Sequence, residues 1–396
     1  MLWESARPGR LATIAAVVFA SAIASGPAWA DTPLSFEFRS LDGGGNNLVH
    51  PSWGQAGTPY SRVAPANYGD GVSSLASGPP PRYTSNRVFN DTAQNIFSER
   101  NVSQWGWTWG QFMDHTFGLA QGGSESAPIG FDASDPLESF QNDFGSISFT
   151  RDAAAPGTGT SIFNPRQHVN TLSSYIDAFN VYGGSESRLE WLRQGPVDGD
   201  MSNNGAHLIM TANDLLPRAT FRGDAASAPT MAVDGQLTSH PQDRVITGDV
   251  RGNENMALTT VHTLFAREHN RIVDLLAGSG LGAERKFQVA RRIVGAEEQY
   301  VTYNEFLPAM GVNLPPYGGY RPNVDATLST EFATVGYRAH SQIHGEFDID
   351  AHTADYTDTQ LNKLRAMGVE VTVTGADVNF IVPLNVAFFN PDVVKL

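Results

Sequence analysis

Three long stretches of the chain place apolar residues at helical spacing. In residues 254–276, Leu258, Val261, Phe265, Ile272 and Leu276 fall on one stripe, and in 283–310 Phe287, Ala290, Val294 and Val301 do the same. Glu284, Arg285, Lys286, Arg291 and Arg292 stand off that second stripe. The third, WGWTWGQFMDHTFGL at 105–119, is apolar nearly all round but carries Gln111, Asp114 and His115 at i, i+3 and i+4, on one face. Shorter helices are predicted over 170–181, ended by Gly183-Gly184, over 187–193 and over 331–343. Strand-like alternation is confined to 369–373 and 378–382. Residues 31–100 are rich in Gly, Pro, Ser and Asn, and 119–151 are again loop-like; the first reads as an extended lead-in wrapped on a core. The turn GGGNN at 43–47 has no neighbouring copy and reads as a tight turn, not a calcium-binding repeat. The stretch 195–247 mixes short apolar runs with turn residues. The fold class is mainly α, with long loops and little β-structure.

The N-terminus changes the picture of where the protein works. Arg7 and Arg10 precede an apolar run over 11–24, and Ala28-Trp29-Ala30 supplies a small-residue cleavage site before Asp31. This is the pattern of a secretory signal peptide over residues 1–30, leaving a mature domain of 31–396 that is secreted or periplasmic. No later segment is apolar enough to span a bilayer. The chain has no cysteine, which removes disulfides and thiolate metal sites. With 26 basic against 41 acidic residues, it is not suited to nucleic acid or an anionic membrane.

Candidate chemistry lies in three places. A carboxylate and an imidazole share the face of the 105–119 helix. In Gly248-Asp249-Val250-Arg251-Gly252-Asn253-Glu254-Asn255, Glu254 suits a helix start and Asp249 or Asn253 could cap it, but Arg251 gains nothing from the positive end of a helix. His262 and His269 on the helix that follows lack the H-E-x-x-H spacing of a zinc protease and read as core or hydrogen-bonding residues. In Tyr337-Arg338-Ala339-His340-Ser341-Gln342-Ile343-His344, two histidines at i, i+4 could chelate zinc on a helix, although no third ligand stands nearby. A single histidine presented to a planar cofactor is the other reading.

Taken together and in this order, WGQFMDH, NTLSSYIDAFNVYG, GDVRGNEN, LTTVHTLFAREHNR and ARRIVGAEEQYVTYNEFLP resemble the animal-type haem peroxidase superfamily, from about Phe38 onward. The resemblance implies a haem-dependent peroxidase whose partners are hydrogen peroxide and a small reducing substrate. By matched position, His115 is the distal histidine, Arg251 the distal arginine and Gln111 the distal glutamine. Asp114 and Glu254 match the carboxylates that become ester-linked to haem, and His340 matches the proximal iron ligand. Ala339 and Gln342 depart from the pattern around that histidine. A calcium site is implied at Ser173, Tyr175 (through its carbonyl) and Asp177, but Thr116 stands where the family has a ligating aspartate, so the site is weakened. Asn255 replaces the methionine that links to haem in myeloperoxidase, which favours bromide, iodide, thiocyanate or phenols over chloride as donors. The family domain extends beyond the last residue of this sequence, so its C-terminal part is expected to be missing. Two other functions fit the same motifs: a haem fatty-acid dioxygenase or cyclooxygenase-like enzyme with Tyr337 as the radical site, and an inactive exported haem-binding or adhesion fragment.

Overall fold

The computed structural model describes residues 38–90 and 98–390. The signal-peptide expectation for residues 1–30 lies outside them. Four regular helices and one three-stranded sheet frame the site: α1 (Gln104–Phe117), α2 (Met256–Leu275), α3 (Ala283–Val301), β1 (Glu346–His352), α4 (Asp358–Ala366), β2 (Glu370–Thr374) and β3 (Asp377–Pro383).

The apolar stripes read from the sequence build the main core. Phe265 of α2 stacks on Phe112 of α1, with ring centroids 5.2 Å apart, and Trp109 leans on both rings. Phe287, Ala290 and Val294 of α3 are fully buried beside Ile272 of α2. Full burial of each such large apolar side chain is worth about 1.5–3 kcal/mol, which fixes the three helices against one another. Past Val301 the chain does not stay α-helical to 310: it widens into a π-turn at Thr302–Phe306, then a last turn at Leu307–Ala309. That turn sets Phe306 against Gly110, where an added Cβ would lie 3.4 Å from the ring.

A second core lies under the sheet, whose strand order is β1-β3-β2, all antiparallel. Both expected strands are present within a residue or two. The sequence reading missed β1, although Phe347, Ile349 and Ala351 alternate with Glu346, Asp348 and Asp350 there. It also missed α4, which opens on a complete capping box between Thr357 and Gln360. Phe347, Val378, Phe380 and Val382 face Trp107 of α1 and Met256 and Ala257 of α2. The sheet therefore braces the N-terminal ends of the two helices that carry the candidate chemistry.

Two expected helices are absent. Over 170–181 the side chains take the backbone's hydrogen bonds. Asn170 Oδ1 accepts from the amides of Leu119 and Leu172, and Ser173 Oγ from that of Tyr175. Only one helical turn forms, at Phe179–Tyr182, after Ala178 in the left-handed region, and Gly183 ends it as expected. The stretch 331–343 is a π-turn at Phe332–Gly336 followed by a 3-10 turn at His340–Gln342. The chain leaves helical geometry at Tyr337, whose hydroxyl donates to the Gly110 carbonyl of α1 (3.1 Å). The shorter helix expected near 187–193 is present at Glu186–Leu192.

The described part of the lead-in wraps the core as expected and includes a short helix at Pro81–Val88. Asp42 organises its turn, accepting from Ser40 Oγ, the Gly44 amide and Gln55 Nε2. Buried Arg291 of α3 pins the lead-in through the carbonyls of Arg39 and Ser40, each at 2.9 Å.

Candidate active site

The C-terminal half of α1 presents Gln111, Asp114 and His115 toward the loop that precedes α2. Close backbone packing holds that loop. A Cβ on Gly248 would fall 2.5 Å from the Gly183 amide, and one on Gly252 would strike Thr247 Oγ1. The Asp249 amide donates to the Asn180 carbonyl (3.1 Å), and Asn253 exchanges two hydrogen bonds of 2.9 Å with the backbone of Val245. Asn253 and Asp249 are thus committed within the loop and do not cap the helix. Asn255 does so, its Oδ1 accepting from the Leu258 amide at 2.9 Å, because the helix starts at Met256 rather than Glu254.

The geometry explains why an arginine stands here. Asp249 is 1% exposed and accepts from Arg251 three times: from its amide at 2.9 Å, Nε at 2.8 Å and an Nη at 3.0 Å. The other Nη reaches the Gly118 carbonyl at 3.0 Å and Asp114 Oδ2 at 3.3 Å. Arginine's planar fork suits this many-sided grip, which a lysine could not reproduce. His115 is 3% exposed, with Nδ1 3.6 Å from Asp249 Oδ1 and Nε2 3.6 Å from Glu254 Oε2. Gln111 is tied down at both ends, donating to Glu254 Oε2 (2.6 Å) and accepting from Asn255 Nδ2 (2.8 Å). The Glu254 carbonyl in turn accepts from the Phe389 amide at 3.1 Å, so the segment after β3 borders the site.

The electrostatics follow from this packing. Burial, reinforced by the Arg251 charge, holds His115 well below the ordinary histidine pKa of 6.5, so its imidazole is neutral at neutral pH. Asp249, though buried, is held down to about 2 by Arg251 and by its hydrogen bonds. Burial raises Asp114 and Glu254 above their ordinary values, against the pull of Arg251.

All six residues singled out for the main chemistry meet at one cavity of about 960 Å³: Gln111, Asp114, His115, Arg251, Glu254 and His340 line it. Tyr60, Phe306, Tyr337 and Arg338 complete parts of its wall. That size suits a large planar cofactor. His340 opens a 3-10 turn that ends at Gln342, before His344, so no α-helix carries both and the i, i+4 pairing that would favour zinc chelation is not formed. Among the described residues no group of three or more His, Asp or Glu could hold a metal ion. His269 is a buried structural residue, set between the Tyr182 hydroxyl and the Ala206 carbonyl; His262 is buried edge-on to Phe112.

The residues expected around calcium lie beside this site. Ser173 Oγ donates to Asp177 Oδ2 at 2.7 Å, and the Tyr175 hydroxyl donates to the Trp53 carbonyl. Thr116 donates to Glu298 Oε2 at 3.4 Å. Burial pushes Asp177 up to about 6.

The sequence reading missed Asp249 as the partner of Arg251. Its signal was the D-x-R spacing, in which an aspartate accepts from the amide two residues on. It also missed the contact of Asn255 with Gln111 and the place of Glu298.

The animal haem peroxidase family model aligns with residues 38–378. The chain belongs to the animal haem peroxidase family. It is 30% identical over 360 residues to mouse thyroid peroxidase, covering 80% of this chain and 39% of that one. It is 32% identical over 324 residues to peroxinectin A of Dictyostelium discoideum, covering 78% and 58%. The fold resembles that of peroxidase A from Dictyostelium discoideum with a TM-score of 0.68 at 26% identity, covering 89% of this chain and 65% of that one. The fatty acid alpha-dioxygenase of Arabidopsis thaliana shares the fold at a TM-score of 0.58 with 14% identity. The chain thus spans about four tenths of the length of the thyroid peroxidases it matches. Among the described residues, no helix is long and apolar enough to cross a membrane.

Proposed function

We propose that the chain binds haem through His340 and reduces hydrogen peroxide at the expense of a small donor such as bromide, iodide, thiocyanate or a phenol. The observation that carries the proposal is the meeting of a buried neutral imidazole, a fixed guanidinium and two raised carboxyls with His340 at one cavity. Asp114 and Glu254 would hold the haem through ester links. When bound, haem supplies the electrons that reduce the peroxide.

The chain's own residues do the proton work. His115, being neutral, takes a proton from peroxide at Nε2 and returns it to the departing oxygen. Its Nδ1 faces the Asp249 carboxylate, which stabilises the imidazole while it carries the proton. Arg251 offers permanent positive charge to the oxygen that develops negative charge, without having to reorganise, because Asp249 already fixes its fork. Gln111, tied to Glu254 and Asn255, presents a fixed amide to whatever enters beside His115. The domain is proposed to run from Asp31, after an exported leader.

Absorption spectra of the haem-reconstituted chain test this. Wild type should give a sharp Soret band that shifts on adding peroxide and recovers with iodide or a phenol. His340→Ala should lose the band. His115→Ala should keep it but react with peroxide about 10²–10⁴ times more slowly. Peroxide-independent oxidation of an unsaturated fatty acid by oxygen would favour the dioxygenase reading instead. Failure to hold haem at all would leave a non-catalytic fragment.

A further inference from the structure

Glu298 lies on α3 and is fully buried, an unusual setting for a glutamate. Its Oε2 accepts from Thr116 Oγ1 at 3.4 Å, while its Oε1 is buried with no hydrogen-bond partner. The carboxylate of Asp177 is close enough to act on it electrostatically, and the buried amide of Asn180 also lies against it. Asp177 repeats the pattern: Oδ2 takes the Ser173 hydroxyl, and Oδ1 is buried without a partner. The Arg291 guanidinium acts on Asp177 but spends its hydrogen bonds on the carbonyls of Arg39 and Ser40. One turn before Glu298, a Cβ added to Gly295 would lie 3.7 Å from the Asp177 backbone, so the two elements run close together.

Buried carboxylates are normally paired or bound to a metal, and two with orphaned oxygens repel each other across a medium of low dielectric. A hard dication resolves both problems, since it prefers several oxygen ligands and at least one or two carboxylates. The oxygens gathered here suit it: the Asp177 and Glu298 carboxylates and the Ser173 and Thr116 hydroxyls. We propose that Glu298 supplies the second carboxylate of a calcium-binding site with Asp177, in place of the carboxylate that Thr116 lacks. The ligand moves from α1 to α3, and the ion clips α3 to the 173–177 loop and to the C-terminal turn of α1, immediately beside His115.

The test uses the full chain stripped with a chelator, without haem, and calcium alone as the probe. Bound calcium is read by atomic emission and affinity by titration calorimetry, with the melting temperature followed in parallel. Wild type should take up about one calcium per chain and melt at a higher temperature with it. Glu298→Gln should weaken calcium binding at least tenfold, as should Asp177→Asn, which serves if the first variant does not fold. Adding Thr116→Asp to Glu298→Gln should restore binding. A wild-type chain that takes up no calcium overturns the proposal, as does a Glu298→Gln chain that binds like wild type. Glu298→Gln melting higher in calcium-free buffer, with no calcium response in either protein, would mean that the two carboxyls share a proton instead. Because no haem is involved, either result leaves the peroxidase reading standing on its own test.

Discussion

Replacing Asp249 by Asn removes one charge and almost no volume from the most closely packed part of the site. In the folded chain Asp249 is held at about 2, against an ordinary value of 3.8. A depression of that size corresponds to about 2 kcal/mol of stability at neutral pH, at roughly 1.4 kcal/mol per unit. Breaking a buried ion pair while leaving its partner in place costs more, about 3–5 kcal/mol. Here Arg251 keeps the Gly118 carbonyl and Asp114, which lowers that cost. The expected loss for Asp249→Asn is therefore about 2–4 kcal/mol at pH 7. The folded pKa lies below the unfolded one, so the wild-type advantage is fully present above about pH 4 and is lost as the pH falls toward 2. Urea denaturation of both proteins across pH 7 to 2.5 measures it. The gap in unfolding free energy should be largest near neutrality and close in acid. A gap below about 0.5 kcal/mol at pH 7, or one of constant size across the range, would refute the ion-pair account of Arg251.

Other expectations follow from the same contacts. His115 is held neutral by burial and by Arg251, so the rate of the peroxide reaction should stay flat as the pH falls through 6.5 and break only at lower pH. Stopped-flow mixing of the reconstituted chain with peroxide checks this, and an inflection at 6.5 would contradict it. The same depression means that His115 contributes stability above pH 6.5 and loses that contribution as the pH falls below it. Arg291→Ala should cost about 2–4 kcal/mol, because two carbonyls lose charged donors in a buried setting. It should also speed tryptic cleavage after Arg39, and an unchanged cleavage rate would show that the lead-in is held by other contacts.

The sequence by itself determined what could be read locally. The helical periods of α1, α2 and α3 are set by side chains three and four residues apart, and the two strands at 369–373 and 378–382 by alternation. The residue set Gln111, Asp114, His115, Arg251, Glu254 and His340 was legible because each lies in a motif of a few residues, and the family resemblance supplied their order. Where polar side chains compete with the backbone, as at Asn170 and Ser173, local reading predicted a helix that the hydrogen bonds do not permit. β1 was obscured because its acidic positions lower strand propensity, although its burial alternates as a strand's should. Tertiary structure decided the rest. Arg251 meets Asp114 across 137 positions, and Glu298 meets Thr116 across 182. No periodicity reports such pairs, because they arise when separate apolar stripes pack and carry their polar neighbours into contact. The choice of Asn255 over Asn253 as the helix cap was settled in the same way, by the backbone of Val245 claiming Asn253 first.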